Sequence, residues 1–211
     1  QMSGGRLQVG VGKGISSIES GYYGVDPDEV TAIYQEYFKV LMKAMESEEL
    51  SFEGKFFSVK NMPLEMKPIQ TPHPPIWTGI GNPSATAWPA ENGINVISNH
   101  NAQVMRKITD AYRADWKNLG RDEAKLPLMG MTRFMVIAET DDKALALGRR
   151  LYDVWYKSFM KLWRHHEKVP PLVTYTEDFD GILSSGLAVA GSAETVQGIL
   201  QDHIDESGTN Y

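Results

Sequence analysis

Short apolar runs alternate with longer amphipathic segments along most of the chain, and this alternation restricts the fold more than any other feature of the sequence. Apolar or β-branched runs predict strands at 7–12, 75–80, 94–98 and 127–138. Apolar spacing and helix-start residues predict helices at 28–47, 84–92, 102–119, 141–165 and 193–207. Strands that alternate with helices favour parallel pairing, so the chain is predicted to be α/β, either a doubly wound sheet or a (β/α) barrel.

One segment, at about 48–70, interrupts this alternation. It contains "SFEGKFFSVKNMPLEMKP", in which aromatic residues are spaced for extended structure around a Gly-Lys turn. We interpret it as a small hairpin or extended excursion from a single domain that spans 1–211. The sequence contains no repeat, low-complexity tract or linker that would divide the chain.

The number of strands is small for a closed barrel. A (β/α)8 barrel needs eight strands and typically about 250 residues, whereas this chain of 211 residues has four clear strand runs. The opening "QMSGGR" is predicted to be a turn that leads into a strand, and the closing "GTNY" is predicted to start another. The chain is therefore expected to be part of a barrel, cut within its first and last βα units.

Composition and charge exclude several classes of function. The chain has no cysteine, which excludes disulfides, thiolate metal sites and a thiol nucleophile, and no metal site is predicted. A net charge of −6 argues against nucleic acid as a partner, although a local basic pocket for one phosphate is compatible with it. No apolar run approaches the length of about 18 residues that a membrane span needs. No basic-then-apolar leader precedes the first strand, so the predicted location is cytoplasmic.

Glycines alternate around one lysine directly after the first strand run. Gly10, Gly12 and Gly14 follow the spacing G-x-G-x-G, whereas a dinucleotide-binding loop needs G-x-G-x-x-G opening directly onto a helix. The next helical pattern begins only near residue 28. A P-loop needs serine or threonine after its lysine, but Lys13 is followed by glycine. By itself this loop therefore favours a tight turn with a solvated lysine.

A second loop follows the strand at 75–80 and changes that balance. It places Gly81, Asn82 and Ser84 at a predicted helix start, where free backbone N–H groups and polar side chains form an anion site. Adjacent parallel strands end on the same side of a sheet, so Lys13 is expected to approach this helix start and share one phosphate. The same residues also fit a plain helix start, with Asn82 as N-cap and Pro83 as the first helical residue.

Five segments, taken in order, resemble bacterial luciferase-like flavin-dependent monooxygenases. They are "SGGRLQVGVGKG", "GKFFSV", "KPIQTPHPPIWTGIGNPSA", "LYDVWYKSFMKLW" and "VAGSAETVQGILQDHIDESGTNY". Each motif alone is weak, but the ordered set is specific and spans nearly the whole chain. The resemblance implies a (β/α)8 TIM barrel, of which this chain is expected to cover about strand four to the start of strand eight, without the first strands and the last unit.

The resemblance also assigns a cofactor site. In the family, a basic residue after the fourth strand and the loop after the fifth strand hold the phosphate of FMN. Members often carry arginine where Lys13 stands, and a hydroxyl residue is common at Ala85, where only the backbone could contact phosphate. The implied cofactor-binding residues are Gly12, Lys13, Gly81, Asn82, Ser84 and Ala85.

The reaction implied by the resemblance uses reduced FMN, supplied by a separate flavin reductase, and O2 to oxygenate a small organic substrate. A homo-oligomer is expected. Much of the ring and substrate pocket comes from the family's first three strands, so no catalytic acid or base is assigned, and the activity of this segment alone is left open. Two alternatives remain: a non-catalytic flavin- or phosphate-binding module, and a deazaflavin (F420)-dependent oxidoreductase that moves hydride without O2.

Three polar residues lie at the ends of, or within, the later strand runs. Asn99 and His100 lie at a strand end, where a barrel carries its active face, and pocket lining and loop capping both fit them. Arg133 lies within an apolar run and is left without a role. A helical stripe is interpreted as core rather than as a cofactor site; it consists of Leu151, Trp155, Phe159 and Trp163.

Overall fold

Strands and helices alternate through the computed structural model, which describes residues 2–171 and 175–211. The chain divides into two compact units, the first ending at Thr78 and the second running from Gly79 to Tyr211. The single domain expected from the sequence stays a prediction. The opening residues 2–5 form turns and bends, as predicted, while residue 1 lies outside the described part of the chain.

The first unit combines a parallel strand pair with an antiparallel hairpin. Its elements are β1 (Val9–Val11), α1 (Ser17–Tyr22), α2 (Val30–Glu46), β2 (Glu49–Glu53), β3 (Ser58–Pro63) and β4 (Ile76–Gly79). β1 pairs with β4 in parallel, with Val9 opposite Ile76. β2 and β3 are antiparallel, which confirms the hairpin interpretation of the segment that interrupts the alternation.

Helix α1 corrects the prediction that no helix begins before residue 28. It starts directly after the glycine loop, and the Ser16 hydroxyl caps it by accepting from the Glu19 N–H at 3.2 Å. With six residues, α1 makes less than two turns, so its single buried residue, Ile18, produces no helical periodicity. The loop spacing still departs from the dinucleotide-binding pattern.

The turn of the β2–β3 hairpin is held by α2. The Glu36 carboxylate accepts from the backbone N–H groups of Lys55, Phe56 and Phe57 at 2.9, 2.8 and 2.7 Å. Burial acts to raise the pKa of Glu36, but these donors lower it below its ordinary value. A Cβ atom at Gly54 would lie 2.4 Å from the Glu36 Oε1, so the turn needs glycine for this close approach. The "GKFF" turn of this hairpin is therefore explained by a structural contact with Glu36 on α2.

The second unit contains two parallel strand pairs. Its elements are α3 (Ala87–Glu91), β5 (Asn95–Ser98), α4 (Ala102–Asn118), β6 (Met129–Met131), β7 (Phe134–Ile137), α5 (Asp141–His165), α6 (Phe179–Ser184), β8 (Ala188–Gly191) and α7 (Ala193–Ser207). β5 pairs with β6, and β7 pairs with β8. The bounds of α5 and α7 are those predicted from periodicity and capping.

The single strand predicted at 127–138 is wrong, because the structure divides this run into β6 and β7. Thr132 N–H donates to Ser98 O at 2.9 Å at the end of the β5–β6 pair. The next strand, β7, pairs with β8 instead of β5. β8 and α6 were not predicted. The sequence of β8 is Ala-Val-Ala-Gly, whose small residues are all buried and give neither alternation nor a marked apolar run.

Two hydrophobic cores lie among the described residues of the second unit. The first packs α4 on β5 and β6 through Met105, Ile108, Tyr112, Val96 and Met129, all of them fully buried. The second packs α5 and α6 on β8, and its members include Ala144, Tyr152, Phe179, Ile182 and Ala188.

The core stripe predicted on α5 is partly wrong. Trp163 is buried, but Leu151 is 52% exposed, because the helix turns the face of Ala144, Gly148 and Tyr152 toward the core. Gly148 is needed there, since a Cβ atom would lie 2.2 Å from the ring of Phe179.

The closing residues 208–211 do not form the predicted strand. They nevertheless lie against β6, because Asn210 N–H donates to Met129 O at 3.2 Å and the Asn210 Oδ1 accepts from Met129 N–H at 2.6 Å. Among the helices of the described residues, none is both long enough and apolar enough to cross a membrane.

Candidate functional site

Gly12 and Lys13 follow β1 and are exposed to solvent. The Lys13 Nζ donates to Thr31 Oγ1 near the start of α2 at 3.0 Å. An ammonium group has three N–H donors, so this contact leaves two for another acceptor. Gly14 has φ +79°, in the left-handed region that favours glycine.

The loop after β4 carries the other predicted cofactor residues. The helix predicted at 84–92 is instead one turn of 3-10 helix, Pro83–Ala85, followed by α3. Asn82 occupies the cap position without making a side-chain cap bond, because its Oδ1 accepts from the Ser84 hydroxyl at 2.6 Å. The residues typical of a helix start are therefore present. The Asn82 side chain, however, binds Ser84 within the loop instead of capping a helix.

This loop presents hydrogen-bond donors. In the described part of the chain, the backbone N–H groups of Gly81, Asn82 and Ser84 have no protein acceptor. The Asn82 amide nitrogen is likewise without one, whereas Ala85 N–H donates to Asn82 O at 3.3 Å within the turn. The loop thus offers three backbone donors and one amide donor to a ligand that accepts hydrogen bonds.

A buried threonine fixes the end of the loop to α4. The Thr86 hydroxyl lies 2.5 Å from the Asp115 Oδ2 and 2.9 Å from Pro83 O, and Thr86 is only 1% exposed. Pro83 is in turn the first residue of the 3-10 turn. The conformation of the loop is therefore set partly by a carboxylate from a helix that lies later in the chain.

His100 joins the ends of neighbouring strands. Its Nε2 lies 2.9 Å from Gly81 O, which makes it the donor, and its carbonyl accepts from the Arg133 Nη1 at 2.9 Å. The Arg133 Nε donates to the His203 Nδ1 at 3.3 Å. Burial lowers the pKa of the Arg133 guanidinium, and burial followed by the charge of Arg133 lowers the pKa of His203. Arg133, which the sequence left without a role, connects β6, the β5 end and α7.

Asn99 has a different partner. Its Nδ2 donates to the Tyr175 hydroxyl at 2.7 Å, so the residue after β5 contacts the chain segment that leads into α6. Burial raises the pKa of Tyr175. Sequence reasoning did not identify Tyr175, because it lies 76 residues from Asn99 and outside any motif. Among the described residues, no group of three histidine or carboxylate side chains is placed to hold a metal ion.

Solved structures of other proteins share the fold of this chain. One is the monooxygenase RslO1 from Streptomyces bottropensis, with a TM-score of 0.81 and 20% identity over 99% of this chain. Another is the oxygenating constituent of 3,6-diketocamphane monooxygenase from Pseudomonas putida in complex with FMN, with a TM-score of 0.70 and 17% identity over 98% of this chain. A third is an F420-dependent secondary alcohol dehydrogenase with an F420-acetone adduct, with a TM-score of 0.72 and 19% identity over 100% of this chain. This chain covers 60%, 63% and 64% of them, respectively, and the predicted luciferase-like fold class is confirmed.

Sequence comparison extends the likeness beyond the fold. The protein y4wF of Sinorhizobium fredii is 37% identical over 212 residues, an alignment that covers 100% of this chain and 61% of that protein. This chain therefore spans less than two thirds of its relative. The sequence model of the family described as luciferase-like monooxygenase matches residues 1–207. The chain accordingly belongs to the luciferase-like monooxygenase family.

Proposed function

We propose that this chain is part of a flavin-dependent monooxygenase that uses reduced FMN and O2 on a small organic substrate. The observation that carries the proposal is the loop after β4, with three backbone N–H groups and one side-chain amide that have no protein acceptor in the described residues. A phosphate monoester is an anion that accepts hydrogen bonds, so this donor set fits the phosphate of FMN. The FMN-bound structure among the solved relatives supports the choice of cofactor.

Each residue of the loop has a defined role in this proposal. Gly81, Asn82 and Ser84 donate backbone N–H groups to the phosphate, and Asn82 adds its Nδ2. His100 holds the Gly81 carbonyl at 2.9 Å, which occupies that acceptor and leaves donors toward the anion. Ser84 orients the Asn82 amide, because its hydroxyl binds the Oδ1 and leaves the nitrogen available.

Gly12 and Lys13 complete the proposed cofactor-binding set, with Lys13 contributing a point charge. Ala85 lies in the same turn, but its N–H, the one donor that it could offer to phosphate, is used by Asn82 O at 3.3 Å. When bound, reduced FMN supplies the electrons that activate O2. The proposal includes a separate flavin reductase as the source of reduced FMN, a homo-oligomeric assembly and a cytoplasmic location.

Replacing Asn82 by aspartate tests the phosphate site with almost no change of shape. The variant puts a negative charge where a donor stood, so the affinity for FMN should fall at least about tenfold. Riboflavin has the same ring without the phosphate, and its affinity should be unchanged. Both ligands are titrated into purified protein and followed by the change in flavin fluorescence.

Gln197→Glu is the matched control, because it also replaces a side-chain amide by a carboxylate. Gln197 is exposed on α7, outside the loop and not among the residues that hold it. This control adds the same charge and should bind FMN as the parent does. Equal losses for FMN and riboflavin in Asn82→Asp, or no loss for FMN, would contradict the phosphate assignment.

An F420-dependent oxidoreductase is the second candidate, because an F420-dependent dehydrogenase shares the fold. Titration with F420 in place of FMN distinguishes the two, as does O2 consumption when enzymatically reduced FMN is supplied. The proposal of a monooxygenase predicts O2 consumption coupled to an oxygenated product. FMN binding without any effect on the oxidation of reduced FMN would instead support a non-catalytic flavin-binding module.

A further inference from the structure

An aromatic rim continues the second core of the second unit toward the strand ends. We define the rim as Trp155, Phe159 and Tyr175. Trp155 and Phe159 stack with ring centroids 4.9 Å apart and planes 10° from parallel. Tyr175 meets both edge to face, at 5.1 Å from Trp155 and 5.3 Å from Phe159. The three rings thus form one connected aromatic surface.

Core packing buries the inner part of this aromatic cluster more completely than the rim, whose Trp155 and Tyr175 pack against the core from its edge. Tyr152 and Phe179, which lie in the same cluster, are each 3% exposed. The three rim rings are only partly buried. Aromatic side chains that are partly exposed and carry a polar group at one edge are typical of ligand-binding surfaces.

The rim has a polar group at its edge, and this group lies where β5 ends. The Asn99 Nδ2 donates to the Tyr175 hydroxyl at 2.7 Å. Because that bond uses the hydroxyl oxygen as acceptor, the Tyr175 O–H proton is available to a ligand, and the Asn99 Oδ1 is available as an acceptor. Asn99 is next to His100, which binds the loop after β4. The rim is therefore connected to the proposed phosphate loop through two adjacent residues.

We propose that the aromatic rim binds a planar, apolar ring of the substrate, and that Tyr175 and Asn99 recognise a hydroxyl or carbonyl group on that ring. This inference rests on the proposed function, because it assigns a substrate class to the same site. Flat rings gain from stacking on Trp155 and Phe159, whereas saturated rings of the same carbon skeleton gain only from burial. The hydroxyl of Tyr175 adds one directional contact.

Two ring compounds test the proposal without any flavin. The purified protein is titrated by calorimetry with 2-naphthol and with decahydro-2-naphthol, its saturated counterpart. The parent protein should prefer 2-naphthol by about three- to tenfold, the range expected for aromatic stacking. Phe159→Leu should remove most of this preference by weakening 2-naphthol binding alone.

Tyr175→Phe keeps the ring and removes only the hydroxyl. It should weaken both compounds by about fivefold, the effect of one hydrogen bond, and leave the preference for the planar ring intact. Tyr156→Phe is the matched control, since Tyr156 stacks on Tyr152 at 5.9 Å and is not part of the rim. That variant should bind both compounds as the parent does.

The outcomes separate this inference from the flavin assignment. If 2-naphthol does not bind, or binds no better than decahydro-2-naphthol, the aromatic substrate class is wrong even where FMN binds as proposed. Equal weakening by Tyr156→Phe and Tyr175→Phe would also overturn the inference, because the effect would then come from the core. Preferential 2-naphthol binding without FMN binding would support the rim and contradict the proposed cofactor.

Discussion

The loop after β1 and the loop after β4 contain similar numbers of glycine and polar residues, but they differ in how they are held. The first loop is exposed, and Lys13 makes one described side-chain contact, with Thr31. The second is fixed by Thr86 on Asp115 and by His100 on Gly81.

This difference in anchoring changes the conformational entropy that each loop would lose on binding a ligand. A donor that is already held in place loses little conformational freedom when a ligand arrives, whereas a mobile lysine side chain must be ordered. The glycine-rich loop with its lysine is the more motif-like of the two in sequence. The loop whose donors are held in place is the other one, and the residues that hold it, Asp115 and His100, lie outside it.

The largest expected effect on stability is at Thr86. Replacing it by valine keeps the shape but removes the hydroxyl that lies 2.5 Å from Asp115 Oδ2, leaving the carboxylate without that donor. The free energy of unfolding should fall by about 2 kcal/mol. The midpoint of urea unfolding measures this, provided that the slope of the transition stays unchanged.

Thr31→Val is the matched change in the first loop region. Thr31 is exposed, and its hydroxyl accepts from Lys13. The expected loss is within about 0.5 kcal/mol, as for most surface substitutions. If both valine variants lost the same stability, the two loops would not differ in anchoring.

The next effect is on cofactor affinity at Lys13. In the proposed cofactor site, Lys13→Ala would remove a charge-assisted contact to phosphate, so FMN binding should weaken by about tenfold, equivalent to about 1.4 kcal/mol. Riboflavin binding should stay the same. Lys60→Ala, which removes an exposed lysine from β3 in the same unit, is the control for charge alone. Equal weakening by the two alanine variants would assign the effect to net charge rather than to a contact.

A smaller effect separates two glycines of the first loop. Gly14 has φ +79°, so Gly14→Ala should cost about 1 kcal/mol of stability through backbone strain. A Cβ atom at Gly12 meets nothing within 4 Å, and its φ lies outside the left-handed region, so Gly12→Ala should change stability by less than about 0.5 kcal/mol. Thermal or urea unfolding of the two variants measures the difference. Equal stabilities would contradict the conformational argument.

The smallest effect is a pH dependence confined to the second unit. Burial, followed by the charge of Arg133, lowers the pKa of His203, while Glu206 and Asp202 act to raise it. Below the unfolded pKa of about 6.5, the unfolded chain binds a proton that the folded chain does not, so stability is present above that pH and falls as the pH drops toward the folded value. His203→Gln should flatten the dependence of the urea midpoint between about pH 5 and 7. An unchanged slope would contradict the lowered pKa.

Much of the fold followed from local signals. The predicted bounds of α5 and α7 are those observed, because each helix is at least 15 residues long and starts at a hydroxyl cap, Thr140 or Ser192. The hairpin at 49–63 also followed from its aromatic spacing and Gly-Lys turn. Six-residue helices such as α1 and α6 were missed, since less than two turns give no periodicity.

The candidate site was only partly predictable. The positions of Gly81, Asn82 and Ser84 after a strand followed from the strand pattern and the turn residues. The hydrogen bond between the Ser84 hydroxyl and the Asn82 Oδ1 could not be predicted, because a short 3-10 turn and a true helix start contain the same types of residue. Tyr175 had no local signal, since its only described side-chain hydrogen bond is made with Asn99, far away in the chain.

The sequence by itself determined the alternation of strands and helices, the long helices and the loops that end strands with donors or charge. All of these depend on residues within a few positions of each other. Tertiary structure alone decided that β6 and β7 take different partners, and it joined His100 to Gly81, Arg133 to His203 and Asn99 to Tyr175 across 19, 70 and 76 residues. The reason is physical: a hydrogen bond between distant segments forms only after strand pairing has brought their ends together.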